Sequence, residues 1–366
     1  MQKKVFILVV LVLLFGVNLF SSENYTKPEI EKMISKMVIL GFSGESVTSN
    51  DEIYKNVKSG LGGVILFDKD PNDKLKVKNV RSKEQLRRLT SQLQAISNQK
   101  LLISIDQEGG IVQRLKKEDG FVDTLKASEI ALRGESFARQ SYNAMAKDLN
   151  YSGINVDFAP VVDLAINKDN KVIVTRGRSF GESSKEVIKY SSIFVEELKK
   201  EKIISVLKHF PGHGSSLADS HLGFVDITNT WSQKELEPYQ YFIANKKVDM
   251  IMTAHVFNQN LDKNYPATLS YNVNTNLLRN KLGFDGVVVS DDLQMSAISK
   301  HYDLKQTLTL AINSGVNMLL FANQLAKPIT LKEIVDTVYK QVLNNEIPLE
   351  QIIKSNQRID RMMGKY

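Results

Sequence analysis

Residues 208–221 read KHFPGHGSSLADSH and hold one Lys, one Asp and three of the chain's five His. That density of ionisable side chains around a Pro-Gly turn supports three chemistries. As a metal site, His209, His213, Asp219 and His221 offer the nitrogen and oxygen donors that zinc takes. Against this, Phe210-Pro211-Gly212 prevents a helical H-x-x-x-H face. As a structural loop, Lys208 and the imidazoles bond to carbonyls and carboxylates. As an acid/base site, Asp219 can orient and charge-stabilise the imidazole of His221 two residues on. A His near its ordinary pKa both gives and takes a proton close to neutrality. The loop by itself leaves all three readings open.

Two further stretches carry carboxylates in telling places. In VVVSDDL (287–293) an apolar run ends in Ser290, Asp291 and Asp292. A carboxylate there is open to tuning by burial and neighbours. Any of the three residues is also a natural N-cap for a following helix, and two adjacent Asp allow both roles. In DQEGGIVQRL (106–115), Asp106 can accept two sugar-type hydroxyls, and Gly109-Gly110 lets backbone pass close to a ligand. The same pair equally marks a tight turn.

The elements that must position these residues follow from hydrophobic runs. Eight short apolar stretches recur: Met37–Phe42, Gly63–Phe67, Leu101–Asp106, Ile154–Pro160, Ile204–His209, Met250–His255, Gly286–Asp291 and Met318–Ala322. They are continuous rather than alternating, as expected of strands buried on both faces of a parallel sheet. Between them lie segments with helical spacing, such as 82–97 and 184–200. Eight strand–helix units predict one α/β domain, a closed (β/α)8 TIM-type barrel, in preference to a doubly wound open sheet. In a barrel all strand C-termini emerge on one face. Asp106, Asp163, Lys208 with His209, His255, and Asp291 with Asp292 all stand at or just beyond strand ends.

Composition is that of a soluble globular protein, with 42% hydrophobic and 24% charged residues. The net charge of +7 is spread along the chain, with no basic helix or Arg-rich tract that argues for nucleic acid. At the N-terminus, Lys3 and Lys4 precede an apolar run from Val5 to about Val17. That is the layout of a secretory signal peptide, with retention as an N-terminal anchor the alternative. Cleavage after residue 22 removes two Lys, and +7 becomes +5. The expected protein is exported, in the periplasm, cell envelope or medium, with residues 23–366 as its catalytic domain. With no Cys, neither a disulfide nor a lipidated Cys is available.

Taken together, DQEGG (106–110), VDFAPVVD (156–163), RSFG (178–181), KHFPGHG with DSH at 219–221, MTAHV (252–256), PATLS (266–270), GFDGVVVSDDLQM (283–295) and SGVNMLL (314–320) resemble glycoside hydrolase family 3. The resemblance is to its single-domain β-N-acetylglucosaminidases and spans nearly the whole chain beyond the leader. It implies a barrel enzyme that removes terminal GlcNAc from peptidoglycan- or chitin-derived oligosaccharides, with retention and a covalent intermediate. Asp291 then matches the nucleophile, and His221 with Asp219 the acid/base dyad. Asp106, Arg178, Lys208, His209 and, more weakly, Arg114 match residues that hold the sugar hydroxyls. Two-domain members take their acid/base from a second domain, and in a chain of 366 residues DSH on a barrel loop is expected to supply it instead. His213 and Gly214 would then permit that loop to close over the sugar.

No metal or organic cofactor enters this mechanism. Ile111, where family members usually carry Arg, and Phe224-Val225, in place of their Leu-Pro, depart from the pattern. The alternatives are a β-glucosidase, a phosphorylase exploiting the uncharged acid/base, a metal-dependent hydrolase on the His cluster, and a non-catalytic envelope sugar-binding protein. Val156, Asp157 and Asp163 are expected to brace the site.

Overall fold

The computed structural model describes residues 25–73, 75–217, 223–324 and 327–366. The apolar leader read in residues 1–22 lies outside them. Among the described residues no helix is long and apolar enough to cross a membrane.

All eight apolar runs contribute a strand. They are β1 (Val38–Gly41), β2 (Gly63–Ile65), β3 (Leu102–Ile105), β4 (Val156–Asp157), β5 (Ile204–Phe210), β6 (Met250–Thr253), β7 (Val287–Val289) and β8 (Leu319–Phe321). The sheet order is β7-β6-β5-β4-β3-β2-β1-β8, and every pairing is parallel. Its two edges meet where Val289 bridges Met318 in parallel and Ser290 N–H donates to the Met318 carbonyl at 3.0 Å. The sheet therefore closes on itself as a barrel. Strand residues such as Ile39, Val64, Ile105, Val206, Ile251, Val288 and Leu319 are at most 1% exposed. Each buried side chain of this size contributes about 2 kcal/mol relative to exposure. Continuous burial is why the runs do not alternate.

Helices surround the sheet. Ser82 caps Lys83–Ile96 by accepting from Gln85 N–H at 3.2 Å, and Leu86, Leu89 and Leu93 form its buried stripe. Ser184–Lys200 buries Val187, Tyr190, Phe194 and Leu198. One outer helix, Asn272–Lys281, is a π-helix. The main apolar cluster runs from Ile30 to Met362, and Val161, Val172 and Ile173 form a small separate one.

The ladders are shorter than the apolar runs, and the surplus residues are those that matter for chemistry. Past β4 the chain stays beside its neighbours: Phe158 N–H donates to Ile105 at 2.8 Å and Val162 N–H to Lys208 at 2.9 Å. This carries Asp163 alongside the end of β5.

Closure leaves no room at the seam. A Cβ on Gly41 would lie 1.8 Å from the Ala322 carbonyl oxygen. Gly41→Ala is expected to cost about 2 kcal/mol or more through overpacking, read as a lowered urea midpoint. An unchanged midpoint would show that the β1–β8 seam is looser than this packing requires.

Candidate active site

The site grows out of the residues just beyond the strands. After β3, residues Gln107–Gly109 turn back and pair antiparallel with Val112–Gln113. Gly109 and Gly110 take φ of +95° and +60°, and a Cβ on Gly109 would meet the Leu125 carbonyl at 2.4 Å. The hairpin is pinned from below: Asp157 accepts from Gln107 N–H at 2.9 Å, and the Gln107 amide oxygen accepts from the backbone of Arg114 and Leu115. Asp106 and Glu108 are thereby held against β5.

Lys208, 3% exposed, projects from β5 between these two carboxylates. Its Nζ is 2.9 Å from Asp106 Oδ1 and 2.7 Å from Glu108 Oε1. Arg178 grips Glu108 through two parallel bonds, Nε to Oε2 and Nη2 to Oε1, both 2.7 Å. Its Nη1 donates to the Val172 carbonyl at 3.1 Å, and Nη2 lies 3.4 Å from His209 Nε2. Arg114 Nη2 reaches Asp106 Oδ2 at 3.3 Å while its guanidinium lies over the Phe67 ring. Burial pushes the Asp106 and Glu108 carboxyls up, but Lys208 with Arg114 and Arg178 outweigh it and hold both below the usual range. Burial likewise opposes the Lys208 charge, and Asp106 and Glu108 overcome it. The ring of Asp106, Glu108, Lys208 and Arg178 is thus ionised at neutral pH. Asp157 beneath it is the exception, since burial pushes its carboxyl well above the ordinary value.

Facing this ring is the turn after β7. Asp291 is half-buried and its Oδ1 accepts from Asp292 N–H at 2.7 Å. The capping alternative does not hold: the short helix Ser296–Ser299 has Met295 at its N-cap and no side-chain cap. Instead Asp292 Oδ1 accepts from Gln294 N–H and Ala322 N–H, both at 3.1 Å, and Ser290 Oγ accepts from Leu320 N–H at 3.0 Å. These bonds sew the turn to β8. His255, at the end of β6, adds a contact of 2.9 Å from Nε2 to the Asp292 carbonyl.

A cavity of about 570 Å³ opens between the two groups, within the range of small-molecule sites. Asp106, Arg114, Arg178, Lys208, His209 and Asp291 all line it, as do Glu108, Ile111 and Arg176. Every described residue that the sequence nominated as catalytic or sugar-holding therefore faces one space. Asp219 and His221 lie outside the described residues.

The KHFPGHG segment is anchored. Asp163 takes His209 Nδ1 at 2.7 Å and also accepts from the backbone of His209 and His213, at 3.2 and 2.8 Å. His213 Nδ1 is 2.7 Å from Ser216 Oγ, and burial with the charge of His209 pushes its pKa down to about 4. Gly214 N–H donates to Glu235 Oε2 at 2.8 Å, and a Cβ at Gly214 would lie 1.8 Å from the Leu164 carbonyl. His213 and Gly214, expected to permit loop closure, are held in this structure by Ser216 and Glu235. Among the described residues no group of three His, Asp or Glu is arranged to hold a metal.

Two residues escaped sequence reasoning. Glu108 is the hub of the charge ring, and its only signal was its place inside DQEGG. Glu235 is wholly buried and braces the loop backbone. It sits in Gln233–Leu236, a stretch that reads as an ordinary exposed helix start.

Comparison with known proteins adds to this geometry. The family described as "Glycosyl hydrolase family 3 N terminal domain" matches residues 29–362. Beta-hexosaminidase A of Pseudoalteromonas piscicida is 33% identical over 330 residues, 83% of this chain and 53% of that protein. Beta-hexosaminidase of Idiomarina loihiensis is 31% identical over 89% of this chain and 92% of its own length. The chain thus spans about half of the first relative and nearly all of the second. Among solved structures, a glycoside hydrolase family 3 beta-N-acetylglucosaminidase from Paenibacillus sp. superposes with a TM-score of 0.81 at 31% identity. It covers 92% of this chain, which in turn spans 62% of it.

Glu235 gives the site a testable pH signature. Burial pushes its carboxyl up to about 8, whereas in an unfolded chain Glu ionises near about 4.3. The stability it contributes is complete below the unfolded value and is lost as pH rises toward about 8. Glu235→Gln keeps an acceptor for Gly214 and removes that titration. The Tm of the variant is therefore expected to gain on the unsubstituted chain steadily from pH 5 to pH 8. A constant difference across that range contradicts a neutral Glu235.

Proposed function

The chain belongs to glycosyl hydrolase family 3, and from that membership we propose that it is a retaining exo-β-N-acetylglucosaminidase. The observation that carries the reading is the convergence of Asp106, Arg114, Arg178, Lys208, His209 and Asp291 on one cavity. Its wall of carboxylates and cations suits the hydroxyls of a sugar. The relatives named β-hexosaminidase and β-N-acetylglucosaminidase support the N-acetyl sugar.

In this proposal the non-reducing sugar lies against Asp106, Arg178, Lys208 and His209, whose mutual bonds fix them before substrate arrives. Preorganised charge of this kind needs no rearrangement during reaction. An Asp291 carboxylate oxygen attacks the anomeric carbon, forming a C–O bond as the glycosidic C–O bond breaks. His221 donates its proton to the departing oxygen, with Asp219 holding the imidazole. In the second half His221 takes a proton from water, whose oxygen displaces Asp291 and frees the sugar with its original anomeric configuration.

We further infer that the glycan comes from the cell envelope or from chitin. Among the residues lining the cavity, Arg176 and Lys69 offer cationic charge to the acidic substituents of a muropeptide. The leader-like residues 1–22 support export, with membrane association through that segment alone.

The test is hydrolysis of an aryl β-N-acetylglucosaminide beside the matching aryl β-glucoside by the chain lacking residues 1–22. The first is expected to be turned over in clear preference, and Asp291→Asn to lower kcat by about a thousandfold or more. Full turnover by Asp291→Asn would sink the assignment, and equal rates on both sugars would remove the N-acetyl specificity.

A further inference from the structure

Two stretches that stand out in the sequence, MTAHV (252–256) and PATLS (266–270), have no part in the reading above. The fold joins them through His255, just past β6, and Thr268, in the 3-10 turn Ala267–Leu269; both side chains are buried. His255 Nδ1 lies 2.8 Å from Thr268 Oγ1, and its Nε2 lies 2.9 Å from the Asp292 carbonyl oxygen. A carbonyl only accepts, so Nε2 carries a proton and donates it. Thr268 Oγ1 donates to the Ala254 carbonyl at 2.9 Å and accepts from Thr253 Oγ1 at 3.0 Å. The Thr268 carbonyl accepts from the Asn274 side-chain amide at 3.1 Å, which ties the turn to the outer helix Asn272–Lys281.

This chain of bonds ends at Asp291. Asp292 N–H donates to Asp291 Oδ1 at 2.7 Å, so the orientation of residue 292 sets where that N–H points. Residue 292 is held from two sides. Its carboxylate accepts from Ala322 N–H, just past β8, and its carbonyl accepts from His255, just past β6. β6 and β8 are the two neighbours of β7 in the closed sheet. His255, Thr268 and Asp292 are at most 6% exposed, so bulk water is not at hand to replace a bond lost here.

We propose that His255 is a positioning residue for the covalent step: by holding the Asp292 carbonyl it aims the Asp292 N–H, and through that N–H the Asp291 carboxylate. The inference rests on the reading of Asp291 as nucleophile. An imidazole suits the task because its two nitrogens sit on one rigid ring, with no torsion between them. Thr268 sets the ring, and the ring sets the carbonyl. A nucleophile displaced by about 1 Å loses about a hundredfold in rate, so a bond of this kind bears on turnover. The polar wall of Asp106, Arg178 and Lys208 is built from β3, β5 and the loop after β4, and it makes no use of His255. Sugar binding and nucleophile placement are therefore separable.

The experiment measures turnover of an aryl β-N-acetylglucosaminide by the purified chain, with free N-acetylglucosamine as a competitive inhibitor that reports on the polar wall. His255→Leu, which lacks both nitrogens, is expected to lower kcat/KM about thirtyfold and to leave the inhibition constant within about twofold. His255→Gln, whose amide N–H can stand in for Nε2–H, is expected to recover most of that loss. Thr268→Val keeps the shape but removes the hydroxyl that sets the ring. It is expected to lower kcat/KM with the inhibition constant again unchanged, and it decides the matter where His255→Leu does not fold. Unchanged turnover, equal losses in His255→Leu and His255→Gln, or inhibition that weakens in step with kcat/KM would overturn the positioning role. Failure of the unsubstituted chain to turn over the donor is a distinct result, and it removes the glucosaminidase reading and this inference together.

Discussion

A lysine with 3% of its surface exposed must find its counter-charges inside the protein, and the site is organised around how Lys208 does so. Asp106 and Glu108 answer it, Arg178 answers Glu108, and Arg114 answers Asp106. Bringing an ion out of water costs several kcal/mol even after relaxation. A set of apolar side chains of the same volume would serve stability as well or better. What the ring provides is a polar wall whose geometry is settled in advance. It also ties β3 and β5 to the loop after β4, so the wall and the barrel share one set of constraints.

Behind the ring stands a second set of contacts that fixes its orientation. Asp157 holds the hairpin of Asp106 and Glu108, Asp163 holds His209 and the backbone beyond it, and Glu235 holds Gly214. Across the cavity, Asp292 and Ser290 tie the Asp291 turn to β8 and so to the seam that closes the barrel. Closure and site are coupled here: the residue proposed to carry the covalent step is one position beyond the bonds that complete the sheet.

The fold was legible because its signal is local. Eight continuous apolar runs separated by helical spacing admit few architectures, and all eight became parallel strands. The faces of residues such as Asp106, Lys208 and Asp291 were legible too, because each ends a run and strand ends of a barrel share one side. Pairings across the sheet were not. Nothing near Glu108 in the chain announces Arg178, seventy residues away, and Glu235 reads as a solvated helix start until the loop above it is in place. That Ser290 and Asp292 cap no helix turned on the strand beside them, since they accept instead from Leu320 and Ala322 N–H. The missing Cβ of Gly214 makes room for the Leu164 carbonyl, a contact that its type alone does not announce. The Asn-rich stretch 272–281 likewise gives no hint of its π-helical hydrogen bonding.

The claim at the centre of this account is that the cavity presents an anomeric carbon to Asp291. It is tested most directly by stopping the enzyme during turnover of a 5-fluoro N-acetylglucosaminyl donor, whose intermediate breaks down slowly, and mapping the modified peptide by mass spectrometry. The account predicts one added sugar on Asp291. A sugar carried instead by Asp106 or Glu108, or an active enzyme that never carries one, would contradict it.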